Sequence, residues 1–292
     1  MNGRRALLVI NEQSRSGKAA AKAAIDALKT AGIAFDHRKN VASDDIADAI
    51  RSAADHVDCV ILGGGDGTLN AALPGLLDTG LPLGVIPLGT ANDLARTLEL
   101  PRDVAKAVET IAAGTLHNID VGEVNGIPFL NVASIGFGVD LTRALTRDAK
   151  QRWGVFGYLI AALRVLRRIQ PFHATIRIGG AVRRSKTIHL AIGNGRHYGG
   201  GMTVCVDAAI DDNRLDVYSL EVPSALALLK ILPSMRSGRH GRWAEVETMA
   251  GQEVVVETSR PRSVNADGEI VTRTPAHFRV LPGALKVYAP AA

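Results

Sequence analysis

The stretch that most restricts this chain is Cys59-Val60-Ile61-Leu62-Gly63-Gly64-Gly65-Asp66-Gly67-Thr68-Leu69-Asn70. Its first part is a short apolar run with β-branched members, the pattern of a strand buried on both faces in a parallel sheet. The run stops at three consecutive glycines, and helical spacing begins near Thr68 and continues through Ala71-Ala72-Leu73. Glycine at such a junction permits positive φ and lets a ligand approach the main chain. The following helix offers unpaired N–H groups and the positive end of its dipole, which suits phosphate. Asp66 is the anomalous member. A carboxylate within a phosphate-binding turn repels its ligand unless a divalent cation or a substrate hydroxyl intervenes. The combination points to metal-assisted phosphoryl transfer.

Two better-known glycine patterns are excluded. The dinucleotide fingerprint requires a third glycine where helix packs on strand, and Gly65-Asp66-Gly67-Thr68-Leu69-Asn70 places Asn there. The P-loop pattern fails around Gly17-Lys18, where both the leading Gly and the trailing Ser or Thr are missing. A glycine-rich turn built only for close packing is the competing reading, and the Asp-Gly-Thr continuation weighs against it.

At 292 residues the chain has room for one large or two ordinary domains. Aromatic residues make up 4%, too few for a base-stacking platform, so nucleic acid is not an expected partner. A net charge of +5 suits acidic substrates or an anionic membrane surface without choosing between them. Two cysteines, Cys59 and Cys205, make no disulfide framework and favour a reducing cytoplasm. The apolar run Ala6 to Ile10 passes directly into polar Asn11-Glu12-Gln13-Ser14, so it reads as a first strand and not as a signal peptide. No stretch approaches the ~20 apolar residues of a spanning helix.

Along the first 120 residues strand and helix signals alternate. Strands are expected at 6–10, 34–37, 58–62 and 83–87, with a polar loop over 11–16. Helices are expected at 18–30 (closed by Gly32), from a Ser43-Asp44-Asp45 cap through 54, at 68–77 and at 104–113. Such alternation implies an open parallel sheet with ligands outside the strand carboxyl ends. Beyond about residue 117 short strand-like runs take over, at 120–124, 128–133, 173–178, 187–192, 215–220 and 253–258. Gly, Asn and Asp punctuate them, which favours antiparallel pairing in a sandwich or barrel. Helices are expected at 155–168 and 224–232. A last strand at 284–288 could return to either half. The expected organisation is therefore an α/β domain over 1–120 and a β-rich domain over 121–280, with 281–292 able to rejoin the first.

A second chemical stretch, Pro87-Leu88-Gly89-Thr90-Ala91-Asn92-Asp93, occupies another strand-to-helix junction. In an open α/β sheet such junctions face one crevice. Thr90 and Asn92 can donate to phosphate oxygens, and Asp93 adds a carboxylate; an ordinary helix cap is the competing reading. Taken together, Gly64 to Asn70 and Pro87-Leu88-Gly89-Thr90-Ala91-Asn92-Asp93-Leu94-Ala95-Arg96 closely resemble the catalytic domain of the diacylglycerol kinase and sphingosine kinase family, above all its bacterial soluble lipid kinases of the YegS type. The likeness continues through Phe129-Leu130-Asn131-Val132-Ala133-Ser134-Ile135-Gly136-Phe137-Gly138, then Gly193-Asn194-Gly195-Arg196 with Gly199-Gly200-Gly201, and finally Asp267-Gly268-Glu269. The first motif alone is shared with NAD kinases and phosphofructokinases; the ordered set is more specific.

The resemblance implies an α/β nucleotide-binding half and an antiparallel β-sandwich half with the active site between them, ATP and Mg2+ as cofactors, and a lipid hydroxyl as acceptor. Carried over by motif, Gly64, Gly65, Asp66, Gly67, Thr68, Leu69, Asn70 and Thr90 would bind ATP. Asn40 stands where several relatives place a nucleotide-contacting Thr. Asp66, Asp93 and Asp120 would handle metal and acceptor, and Asp267 and Glu269 match the acidic motif credited with general-base function. A bare Asp-Gly-Glu also reads as a surface hairpin turn. The resemblance further implies a structural Mg2+ held by Asp212 and the carbonyls of Ala209 and Arg214. There Asn213 replaces the usual Gly, and Asn tolerates left-handed backbone.

A lipid acceptor calls for an interfacial surface. The apolar, arginine-bearing segment 155–168 and the basic group Arg236, Arg239, His240 and Arg242 could each sit on anionic headgroups; a core-facing helix with a solvated cationic face is the plainer reading of the first. The expected location is cytoplasmic and peripheral at the inner membrane surface, and a homodimer is left open. Two other functions stay in view: a kinase of a soluble acceptor such as NAD, and a catalytically idle regulator that binds lipid or nucleotide.

Overall fold

The computed structural model describes residues 5–11, 17–39, 41–136, 170–198, 202–203, 208–221, 243 and 245–291. These fall into two compact units, one holding the residues up to Val121 and from Leu281 onward, the other lying between Gly122 and Val280. The loop residues 12–16, Asn40, Phe137, Gly138, Gly199 to Gly201, Cys205, both expected helices (155–168 and 224–232) and the basic group 236–242 lie outside the described residues.

The first unit contains β1 (Arg5–Ile10), α1 (Gly17–Thr30), β2 (Ala34–Arg38), α2 (Ile46–Ala53), β3 (Cys59–Gly64), α3 (Asp66–Thr79), β4 (Leu83–Pro87), α4 (Asp93–Thr97), α5 (Val104–Ala113) and the start of β5 (Leu116–Val124). Its sheet runs in the order β2-β1-β3-β4, every pairing parallel. β3 and β4 are buried along their whole length because helices cover both faces. Ala6, Leu8, Ile10, Ile61 and Ile86 pack on Ala21, Ala24 and Leu28 of α1 and on Val108 and Ile111 of α5. Strand alternation sends Leu7, Val9, Val60 and Leu62 to the opposite face, where α2 meets β1 and α3 meets β3. There Gly75 is required by close approach: a Cβ on it would stand 2.5 Å from the carbonyl oxygen of Ala47.

Two helix starts differ from expectation. Ser43–Asp45 forms a short 3-10 turn, without a side-chain cap, before α2 begins at Ile46. α3 begins at Asp66, two residues earlier than spacing predicts, because extended Gly65 serves as its N-cap. An acidic residue in that first turn is favoured by the helix dipole.

The second unit contains the end of β5 with β6 (Ile127–Phe129), β7 (Val132–Gly136), β8 (Phe172–Ile178), β9 (Ala181–Thr187), β10 (His189–Gly193), the two-residue strands β11 (His197–Tyr198) and β12 (Met202–Thr203), β13 (Leu215–Leu220), β14 (Val246–Gly251), β15 (Glu253–Thr258), β16 (Ser263–Ala266), β17 (Glu269–Arg273) and the beginning of β18 (Ala276–Tyr288). One antiparallel layer has the order β14-β13-β10-β7-β16-β17. The other runs from β18 through β15 and β8 to β9, again antiparallel. Ile135, Leu190, Ile192, Val217 and Val264 of the first layer interdigitate with Ile176, Val254, Val256 and Phe278 of the second. This is the expected sandwich.

β18 serves both units. Its first residues pair with β15, and Val287 further on pairs in parallel with Leu83 of β4. The expected run 128–133 is divided into β6 and β7 by a break at Leu130-Asn131, and the run 187–192 is divided between β9 and β10 at Ile188.

Candidate functional site

In the first unit the two chemical stretches leave the carboxyl ends of adjacent parallel strands, β3 and β4. Gly65 and Gly89 bring their backbones together: a Cβ on Gly65 would lie 2.9 Å from the Cα of Gly89. The second loop is pinned by Asn92, whose Oδ1 accepts the Gly89 N–H (2.9 Å) and whose Nδ2 donates to the Gly89 carbonyl (2.8 Å). Asn92 sits in the left-handed region (φ 51°), which Asn tolerates better than most residues. Its amide therefore holds the loop.

Asp66 resolves its own anomaly. One carboxylate oxygen accepts the N–H groups of Asp93 (2.7 Å) and Leu94 (3.3 Å), so it caps α4 across the gap between the loops. These amide donors stabilise the carboxylate charge and draw it toward the start of α4. Thr68 is buried, its side chain filling the space where a Cβ of Gly64 would stand, while Thr90 is exposed. Gly67 is exposed, and a Cβ there would meet nothing within 4 Å. The approach to the α3 N-terminus is thus open on the glycine side. Asn70 Oδ1 is a buried acceptor without a hydrogen-bond partner.

Asp120, buried on β5, accepts the Gly283 N–H at 2.7 Å, where β18 turns through left-handed Gly283 (φ 56°) after Pro282. The sequence reading missed Gly283 as a partner, since Pro-Gly reads as a turn and not as part of a long strand. The first unit thereby gathers Gly64 to Asn70, Thr90 and Asp93 at two touching loops and seats Asp120 against the returning C-terminal strand. Asn40 lies outside the described residues.

In the second unit Asp267-Gly268 is a two-residue hairpin loop joining β16 to β17, with Ala266 paired to Glu269. Positive φ at both residues (47° and 96°) meets the requirement of a type I′ turn, for which Asp-Gly is a preferred pair. The hairpin reading of Asp-Gly-Glu was therefore right as geometry. The Asp267 carboxylate reaches a distant segment: Oδ2 accepts Leu130 N–H (2.6 Å), and Oδ1 accepts Asn131 (3.0 Å) and Val132 N–H (3.1 Å). From the other side, Asn194 and Gly195 donate their N–H groups to the Asn131 carbonyl (2.8 and 3.1 Å), and Asn194 Nδ2 donates to that of Leu130 (2.9 Å). Asn265 Oδ1 accepts Gly268 N–H (3.0 Å), bracing the hairpin. Two separate motifs thus converge on residues 130–132, which belong to a third. Glu269 is exposed at the first position of β17.

The loop around Asp212 has Asn213 at φ 59°, so Asn takes the conformation that Gly would otherwise supply. The Asp212 carboxylate accepts the Arg214 N–H (3.3 Å) and pairs with its guanidinium (3.0 Å), which also faces Asp216 at 3.7 Å. A cation held by Asp212 and the carbonyls of Ala209 and Arg214 would have an all-oxygen donor set of the kind Mg2+ takes, and would share Asp212 with that guanidinium. Among the described residues no cluster of three His, Cys, Asp or Glu could hold a metal by itself. On β10, burial pushes His189 down to about 4, and its ring lies 5.7 Å from that of Tyr218. No helix among the described residues is long and apolar enough to cross a membrane.

Comparison with known proteins bears on both units. Residues 5–124 match the model of the diacylglycerol kinase catalytic domain, and residues 133–289 that of the YegS C-terminal NAD kinase beta sandwich-like domain. The chain is 31% identical over 307 residues, covering 100% of its own length and 95% of the other, to a Pseudomonas syringae pv. syringae (strain B728a) protein named "Probable lipid kinase YegS-like". It is 36% identical over 248 residues, 82% of this chain and 79% of the other, to a protein of Mycobacterium tuberculosis (strain ATCC 25618 / H37Rv) named diacylglycerol kinase. A crystal structure of a diacylglycerol kinase from Bacillus anthracis str. Sterne superimposes with a TM-score of 0.76 at 22% identity, covering 98% of this chain and 97% of that one, a likeness of fold.

Proposed function

Because the chain belongs to the diacylglycerol kinase catalytic domain family, we propose that it is an ATP- and Mg2+-dependent kinase that phosphorylates a hydroxyl of a membrane lipid such as diacylglycerol or phosphatidylglycerol. The observation that carries this reading is the pair of touching glycine loops, with the open face of Gly67 at the start of α3. Backbone amides of such loops, together with a helix N-terminus, hold phosphate oxygens without a side chain in the way. Thr90, exposed on the neighbouring loop, would add a hydroxyl donor.

Phosphoryl transfer is accelerated chiefly by positioning and charge neutralisation. The carboxylates of Asp66, Asp93 and Asp120 are hard oxygen donors of the kind Mg2+ takes; they form no metal cluster by themselves, so phosphate oxygens of ATP would have to complete the site, and the ion when bound would neutralise charge on the transferring phosphate. Asp66 has a second duty, since it fixes the start of α4 and with it the position of Asp93. Glu269 is the proposed general base that takes the proton of the acceptor hydroxyl, a contribution of about 10²–10⁴-fold. The reading also supports a protein that meets its acceptor at a membrane surface from the cytoplasmic side.

Purified protein supplied with labelled ATP, Mg2+ and a panel of lipids plus NAD tests the proposal. Label should enter a lipid hydroxyl, only with Mg2+ present, and leave NAD untouched. Phosphorylation of NAD alone, or nucleotide binding without transfer to any acceptor, would overturn it.

A further inference from the structure

The geometry points to a division of labour in the Asp267-Gly268-Glu269 hairpin: we propose that Asp267 is a positioning residue and not a base, and that it acts by locking Glu269 in place. The inference rests on the kinase reading above. The turn itself does not need a carboxylate, because Asn-Gly forms a type I′ hairpin equally well. What a carboxylate adds is the capacity to accept three N–H groups at once, from Leu130, Asn131 and Val132. Each of those donors lies about 135 residues away in sequence, so the contacts are a tertiary clamp and not local turn chemistry. To act as a base Asp267 would have to take up a proton against three amide dipoles aimed at its charged form.

The clamp is also two-sided. Asp267 donates its own N–H to the Val132 carbonyl (3.0 Å), while Asn194 and Gly195 hold the Asn131 carbonyl. Leu130 and Asn131 sit in the break between β6 and β7, and Val132 opens β7, so the segment is anchored from both sides at the point where the strand ladder is interrupted. Glu269 pairs with Ala266 directly across the two-residue loop. A shift of the hairpin against residues 130–132 therefore moves Glu269 bodily. Glu269 is exposed, and the hairpin that carries it is held to β7 by the ladder over Val264–Ala266 and to residues 130–132 by the Asp267 carboxylate.

The experiment compares D267N and E269Q in the full-length protein, using labelled ATP, Mg2+ and the lipid that wild type phosphorylates, well below the melting temperature. D267N keeps the turn, removes the negative charge and replaces one of the two accepting oxygens by an NH2 group, so at least one of the three amides loses its acceptor. It should lower kcat by about 10²-fold, the cost of a small misplacement. KM for ATP should be unchanged, and the decline of kcat toward acid pH retained. Hydrogen exchange at 130–132 should quicken. E269Q should give a residual rate that no longer varies over the acid range. Loss of the acid limb in D267N with its retention in E269Q would make Asp267 the base and overturn the proposal. So would a D267N enzyme with wild-type kcat, which would leave the clamp a purely structural contact. Should D267N fail to fold, N265A removes the brace on Gly268 without touching either acid and should show the same loss of kcat at constant KM for ATP. Failure of the kinase reading is separately visible, because wild type itself would then phosphorylate no lipid, and the positioning claim would fall with it.

Discussion

Gly67 and Gly89 stand on adjacent loops and make opposite demands. A Cβ on Gly89 would collide with the Gly65 backbone and approach Asn92 Oδ1, neither of which can withdraw without opening the loop pair. Gly89→Ala should therefore cost about 1–3 kcal/mol, the usual penalty for forcing atoms into a packed site, and should abolish nucleotide binding with it. Gly67→Ala meets empty space within the first turn of α3. It should hold or slightly raise the melting temperature, since Ala is favoured over Gly in a helix by about 1 kcal/mol. Its cost should appear only in ATP affinity, because the added methyl occupies the face through which phosphate reaches the main chain. Thermal melts and ATP titrations on the two variants separate the cases. A Gly67→Ala protein that binds ATP as wild type does would show that the open face is not the phosphate approach.

At the level of elements, what could be read from sequence was what local chemistry decides. The buried strand before Gly63, the helix over 104–113 and the glycine junctions are set by apolar runs and by residues that tolerate unusual backbone. The strands that escaped notice belong to the sandwich. β9 (Ala181–Thr187) is exposed over its first four residues and carries Arg183, Arg184 and Lys186, because it is an edge strand and so lacks the apolar signature. β16 and β17 are short and disguised by a turn motif. In the candidate site, sequence indicated which residues carry charge but not what each carboxylate touches. Asp66 meets Asp93 and Leu94, Asp120 meets Gly283, and Asp267 meets residues 130–132, all long-range contacts. β10 carries a further element-scale consequence through His189. Its folded value of about 4 lies below the ordinary 6.5 because the ring is buried. Between those two values the unfolded chain takes up a proton that the folded one does not. The stabilisation is complete above pH 6.5 and is lost as the pH falls toward 4, amounting to roughly 3 kcal/mol for one group. Urea unfolding across that range should show the decline, and H189Q should flatten it. An unchanged slope in H189Q would assign the acid sensitivity to other groups.

For the molecule as a whole, the decisive feature is that the first unit is not contiguous in sequence. Its sheet continues from β4 to the C-terminal part of β18, where Leu285, Val287 and Tyr288 are almost completely buried. The same segment donates the Ala289 N–H to the Thr115 carbonyl, and the Pro290 carbonyl meets His117 Nε2. Gly283 supplies the amide that Asp120 accepts. Burying three such side chains is worth about 1.5–3 kcal/mol each, a sum comparable with the entire 5–15 kcal/mol stability of a typical domain. Ending the chain after Val280 should therefore unfold the first unit although every glycine of both loops is still present. The truncated protein should show no ATP-dependent rise in melting temperature and rapid hydrogen exchange in β1, β3 and β4. The second unit keeps both of its antiparallel layers up to Val280, so β10 and β13 should remain protected. Retained ATP binding in the truncated protein would mean that β2-β1-β3-β4 folds without its C-terminal neighbour. Loss of protection in both units together would mean instead that the chain folds as one cooperative body, and that the C-terminal strand supports the sandwich as much as the nucleotide loops.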